Sequence, residues 1–250
     1  MIKDRTGRHG APGIGERRDS RQTRATILKI AERLFAEAGI DRVSLRRIAV
    51  EAGQANSSAV QYHFADKDGL VCGIIRKRAL EFEQERARAM SALMASGGEP
   101  DARRLHDICL RPLSRKGDAG VFAYASLLHQ IMAADRYDKY HPLVVEVAPI
   151  TMYIAGLLQE AVGMPAAIFR YRMQQSTLCY LNALMSPPVG SFGDGSPYPD
   201  WETKVDVALL AAHAVLLSSP DASASARVTT TGVLSSPVDF KMPTTRMTDA

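Results

Sequence analysis

The stretch from Ser44 to Leu70, SLRRIAVEAGQANSSAVQYHFADKDGL, constrains the fold more than any other part of the chain. It spells a short helix, a glycine break, a second short and polar helix, and the opening of a third. Ser44 is a good helix cap. Val43 before it and Ile48 four residues in have the spacing of a hydrophobic staple. Leu45, Ile48, Ala49 and Ala52 form one apolar stripe, and Gly53 stops the helix. Asn56 can cap the next helix, which runs to about Phe64. Asp66 caps the one after, with Asp68 in its first turn, where the helix dipole favours a carboxylate.

Longer helices flank this segment. Upstream, a helix is expected to start near Asp19 or Ser20, with Asp19 and Gln22 at capping-box spacing. Ile27, Ile30, Ala31, Leu34, Phe35 and Ala38 recur on one face of it, and Gly39 ends it in the left-handed conformation. Downstream, Leu70, Val71, Ile74, Ile75 and Phe82 give the Asp66-capped helix an inner face, and it ends near Ser96-Gly97-Gly98. Past Pro100, further helices are expected near 101–113, 119–135, 142–162, 165–185 and 200–217, with Pro142 and Pro165 read as first-turn prolines. A Pro/Gly/Ser-rich loop, SPPVGSFGDGSPYP, separates the last two. The sequence has neither an alternating β-type run nor an internal repeat, so the fold class is all-α. Residues 1–18, rich in Gly and Arg, read as a flexible basic arm, and residues 218–250, poor in apolar side chains, as a disordered tail.

Charge is unevenly placed along the chain. Residues 1–50 carry 12 Lys/Arg against 6 Asp/Glu, whereas the remainder carries 19 against 21. A basic end on a near-neutral body points to one nucleic-acid-facing region. The three cysteines, Cys72, Cys109 and Cys179, are far apart and odd in number, which argues against a disulfide framework and fits a reducing compartment. The start has no apolar run of secretory type. The most apolar stretch, Val205–Leu217, is interrupted by Asp206 and His213 and is too short to span a bilayer. A cytoplasmic protein without a membrane partner is the expectation.

A short helix, a glycine turn and a second short polar helix between longer helices is how a helix-turn-helix DNA reader is written. The second short helix has what such a reader needs. Ala59, Val60 and Phe64 can hold it to a core, and Ser57, Ser58, Gln61 and His63 can face outward. Gln61 can pair with adenine edges in the major groove, and Asn56 and the serines can cap the helix or bond phosphates. Three pieces, ILKIAERLFAEAGIDRVSLRRIAVEAG, AVQYHF and DKDGL, resemble the DNA-binding domain of TetR-type (TetR/AcrR) transcriptional regulators over Thr23–Ile75. That resemblance implies a phosphate contact from Tyr62, another from Lys67 at a helix N-terminus, and a backbone clamp from Ser44 and Arg46. Gln54 lies in the turn before the recognition helix and joins the DNA-binding set. Arg5, Arg8, Arg17 and Arg18 of the arm can attract DNA non-specifically or enter a minor groove.

The implied division is an arm over 1–18, a helix-turn-helix domain over 19–66, a helical regulatory and dimerisation domain over 67–217, and a tail over 218–250. By the same resemblance the last two helices form a four-helix bundle with a second copy. Phe169, Met173, Tyr180 and Leu184 on one, and Val205, Leu209, Ala212 and Leu216 on the other, are the expected homodimer interface; packing within one chain is the alternative. Tyr124, His129, Met132, Met152, Tyr153 and Tyr171 are candidates to line a pocket for a small apolar or aromatic effector. No cofactor, metal or catalytic residue is expected. His106 and Cys109 fall at i, i+3 but lack further ligands and read as surface residues. Gly-x-Ser-x-Gly and Gly-Lys-Ser/Thr signatures are absent, and GSFGDG reads as a linker. The sequence thus predicts a ligand-responsive homodimeric regulator, a repressor released from a near-palindromic DNA operator by its effector. An architectural DNA binder without an effector, or an all-helical enzyme with a hidden site, remains as an alternative.

Overall fold

The computed structural model describes residues 14–97, 100–186 and 200–218, and within these it is entirely helical. The helices are α1 (Ile14–Ala38), α2 (Leu45–Glu51), α3 (Ser58–Phe64), α4 (Lys67–Ala95), α5 (Ala102–Leu110), α6 (Ala119–Ala133), α7 (Tyr137–Val147), α8 (Pro149–Val162), α9 (Ala166–Met185) and α10 (Trp201–Leu217), with a 3-10 turn at Arg111–Ser114 after α5. Residues 1–13, with Arg5 and Arg8, the 187–199 linker and residues 219–250 lie outside the described residues.

Local chemistry explains most boundaries. The Ser44 hydroxyl accepts from the Arg47 N–H at 3.1 Å, and the Asp66 carboxylate from the Gly69 N–H at 2.8 Å. The Asn56 side chain accepts the Ser58 N–H at 2.9 Å, closing the turn into α3. Gly39 (φ 89°) and Gly53 (φ 71°) take the left-handed conformation that ends α1 and α2.

Three sequence expectations are corrected. α1 begins at Ile14 rather than at Asp19 or Ser20, so Arg17 and Arg18 are helical; capping residues do not stop a helix when the preceding Glu-Arg-Arg run favours it. The single helix expected over 142–162 is two, α7 and α8, bent by 106°. Pro149 opens α8 and drives Ala148 out of the helical region (φ −128°, ψ 57°). Pro142, read as a first-turn proline, lies inside α7. Among the described residues no single helix is long and apolar enough to cross a membrane.

One core cluster runs from the α1–α4 domain into the body. Ile27, Leu34 and Phe35 of α1, Ile48 of α2, Val60 of α3 and Leu70 and Ile74 of α4 belong to it, as do Leu127 of α6, Tyr180 of α9 and Leu209 of α10. A second cluster gathers Met90, Leu105, Cys109, Ile154, Leu158, Phe169 and Leu216. The α1–α4 domain is thus seated on the body through shared apolar packing, reinforced by two polar ties. Glu32 of α1 and Arg78 of α4 are both buried and joined by bonds of 2.6 and 3.0 Å. Gln130 of α6 caps the end of α1, donating to the Phe35 carbonyl at 2.8 Å and accepting from the Ile40 N–H at 3.1 Å.

His106 and Cys109, expected at the surface, are buried. α5 turns Leu105, His106, Cys109 and Leu110 inward as one face. The Ser176 hydroxyl donates to the Ala212 carbonyl at 3.0 Å, so the His106 Nε2–H donates to Ser176 Oγ at 2.9 Å. The ring of buried His213 lies 5.2 Å from that of His106, and its Nε2 is 2.8 Å from an Asp107 carboxylate oxygen. Burial, then the proximity of His213, pushes the His106 pKa down to about 3. These contacts hold α5 against α9 and α10.

The expected dimer residues are also corrected. Phe169, Tyr180, Leu184, Val205, Leu209, Ala212 and Leu216 are buried within the single chain, and Met173 is half-buried. α9 and α10 form the most extensive helix pair among the described residues, and those side chains fill it and its contacts with the body. The outward side of α10 instead shows Val207, Leu210, Ala211 and Ala214.

Candidate nucleic-acid interface

The two short helices are stapled to α1 and α4 by their apolar sides. In α3, Val60 and Phe64 are buried, whereas Ser58, Gln61 and Tyr62 form an exposed stripe about one helical turn long. Tyr62 is 84% exposed, so its hydroxyl is not a core group. Ser57 and Ala59 are half-buried at the flank of the stripe. His63 is half-buried beside α1, and burial followed by the Arg24 charge holds its pKa below the usual imidazole value.

Close approach of α3 and α4 depends on two glycines. A Cβ on Gly69 would stand 1.8 Å from the Phe64 carbonyl oxygen, and one on Gly73 would stand 2.8 Å from Leu28 Cδ2 and 3.1 Å from the Phe64 ring. Arg24 of α1 completes the packing, its guanidinium 4.9 Å from the Phe64 ring centroid.

Ser44 and Arg46 are exposed at the start of α2. Arg47 is drawn to Glu51 at 3.0 Å, while Arg46 has no ion pair among the described residues. Gln54 bends back, its side-chain amide donating to the Ala52 carbonyl at 3.3 Å. Asn56 is exposed but its Oδ1 serves the turn.

Lys67, an expected phosphate contact, is already engaged within the chain. Its ammonium donates to the carbonyls of Ile40 at 3.1 Å and Asp41 at 2.9 Å, so two of its three protons tie the start of α4 to the α1–α2 turn.

α7 is laced to the same edge. Arg136 pairs with Asp41 at 2.8 Å, and Lys139 and the Tyr140 hydroxyl reach Asp68 at 2.6 and 2.7 Å. Hydrogen bonding to Lys139 and then Tyr140 holds the Asp68 carboxyl below its usual range. Arg76 meets Glu146 of α7 with bonds of 2.8 and 3.3 Å. Sequence reasoning missed Arg24, Gln130, Arg136 and Tyr140, whose partners are remote in sequence. The Gly69/Gly73 spacing was a legible signal of close helix approach.

The expected pocket residues do not converge. Tyr124 and Met132 are buried, with Tyr124 5.4 Å from the Phe82 ring. His129 bonds Asn182 at 2.7 Å, and Tyr153 and Tyr171 are exposed. Met152 is half-buried on α8.

Residues 27–72 match the family of bacterial regulatory proteins described as the tetR family. The match covers α2, α3 and the segments of α1 and α4 that hold them. Residues 27–72 are thus a DNA-binding domain of the tetR-family type. Two solved structures are similar to the chain. One is a protein from Mesorhizobium loti MAFF303099 assigned to the TetR family of transcriptional regulators, 18% identical over 78% of this chain and 97% of that one, with a TM-score of 0.42. The other is Mycobacterium smegmatis AmtR, 20% identical over 90% of this chain and 98% of that one, with a TM-score of 0.41. No curated protein matches by sequence. A domain of this type points to transcription regulation through DNA binding.

Proposed function

We propose that the chain acts as a homodimeric, ligand-responsive repressor that places two α3 helices in successive major grooves of a near-palindromic operator. The observation that carries this reading is the exposed stripe of Ser58, Gln61 and Tyr62 on a helix whose opposite side, Val60 and Phe64, is locked in the core. Gln61 is the base reader, and Tyr62, Ser44 and Arg46 contact the backbone.

Two half-sites need two copies. Val207 and Leu210, each 59% exposed, with Ala211 and Ala214 form an apolar stripe on α10 whose small residues permit close helix approach. This stripe replaces the buried residues as the proposed dimer surface. The effector is an apolar or aromatic molecule that enters between α4, α6 and α7, where the Phe82 and Tyr124 rings lie 5.4 Å apart and Met132 and Tyr137 belong to the same apolar cluster. Binding there would move α7, and with it the ties to Asp41 and Asp68. A hundredfold loss of DNA affinity needs about 2.7 kcal/mol of differential binding.

Sedimentation of the protein alone and with DNA tests the assembly. Two chains in solution and two per operator are expected, and the double substitution Val207→Glu with Leu210→Glu should give folded monomers with little specific binding. A double variant that stays dimeric would contradict the α10 assignment.

A further inference from the structure

A concavity of about 360 Å³ lies beside the recognition helix, bounded by Arg24 of α1, Tyr62 and His63 of α3, and Cys72 and Arg76 of α4. We propose that this cleft seats a phosphate group of the DNA backbone, with Arg24 and Arg76 as its cationic jaws. The proposal rests on the DNA-reading function above and adds two contacts to it.

Its chemistry favours an anion. No carboxylate is among the residues that line it. Gly69, Gly73 and Phe64 form part of the wall, and a Cβ on Gly73 would stand 3.1 Å from the Phe64 ring. Gln61 and Tyr62, the outward residues of α3, border its mouth, so a strand whose bases lie under α3 passes the opening. Arg24 is exposed, has no ion pair among the described residues, and is steadied by the Phe64 ring through its π-face. A stacked guanidinium keeps its in-plane N–H donors for a phosphate. Arg76 is held toward α7 by Glu146, with both side chains about half-exposed or more (49% and 62%), which is the kind of ion pair a phosphate can displace. DNA and α7 therefore compete for one guanidinium.

The test uses the full chain, Arg24→Gln, Arg76→Gln and Arg24→Lys, each titrated with selected and random-sequence DNA over a range of salt. Each glutamine variant should weaken both DNAs by a similar factor. Each should also flatten the slope of log affinity against log salt by about 0.9 for every phosphate no longer neutralised, with the preferred site unchanged. Arg24→Lys should keep the slope. Weaker binding at an unchanged slope would overturn the proposal and leave Arg24 as a prop for Phe64.

Alkylation of the half-buried Cys72 thiol, with Cys179 as internal control, separates the sources of phosphate. Protection by DNA but not by inorganic phosphate at matched ionic strength supports the backbone assignment. Protection by inorganic phosphate alone overturns it in favour of a free anion, and protection by neither overturns the site altogether. Wild-type protein that binds no DNA would defeat the functional reading itself, and the inorganic phosphate arm would then decide the cleft on its own.

Discussion

Single atoms decide how α3 is held and what it shows. Gly69 is required by proximity and not by backbone angle, because any Cβ there meets the Phe64 carbonyl oxygen at 1.8 Å. Gly69→Ala should therefore push α4 from α3 and cost about 1–3 kcal/mol, the usual range for overpacking; urea unfolding measures it, and an unchanged midpoint would contradict the packing account. Tyr62 is the opposite case. It is exposed at 84% and contributes little to the core. Tyr62→Phe should leave stability intact and weaken binding to all DNA sequences alike, since phosphate contacts carry no base information. A changed preferred site in a binding selection would refute the phosphate role. Lys67 has a structural role that its residue type did not disclose, because two backbone carbonyls at the α1–α2 turn accept from its ammonium.

At the scale of elements, the buried Glu32–Arg78 pair fastens α1 to α4. A Cβ on Gly120 of α6 would lie 2.0 Å from the Arg78 guanidinium, so α6 closes over the pair. Removing one partner strands a buried charge, and Glu32→Ala should cost about 3–5 kcal/mol, read by urea denaturation. A loss below about 1 kcal/mol would show that water reaches the site. Helices α1 to α4 were legible because caps, glycines and apolar spacing are local signals: Ser44, Gly53, Asp66 and the Ile27–Phe35 stripe mark them directly. The break between α7 and α8 was not read, because Pro149 competes with Pro142 for the role of helix start and only packing chooses. Nor could apolar spacing on α9 and α10 tell a face buried within the chain from one offered to a second copy. Both are apolar, and Leu209 and Leu210 differ only in which side of the helix they occupy. The exposed polar face of α3 was legible, whereas Arg24 and the α7 ties depend on partners distant in sequence.

Across the whole molecule, the α1–α4 domain and the body share one core and a set of polar ties through α6 and α7. Acid should loosen the far end first. His106 has its pKa depressed from 6.5 to about 3 by burial and His213, so below 6.5 the unfolded chain binds the proton that the folded chain refuses. Its stabilising contribution is full above pH 6.5. It should fall by about 1.4 kcal/mol per pH unit as pH drops toward the folded value. Unfolding free energies from pH 7 to 4 check this, with His106→Asn as control; equal pH slopes in the two proteins would contradict it. The central claim is that exposed side chains of α3 read bases on two half-sites. The most direct measurement is selection from a random DNA library by the purified protein and by Gln61→Ala. The account predicts a near-palindromic site for the wild type, and for the variant a loss of about 1–3 kcal/mol with relaxed preference at one symmetric pair of positions. Recovery of no motif by the wild type, or of one motif unchanged by the substitution, would contradict it.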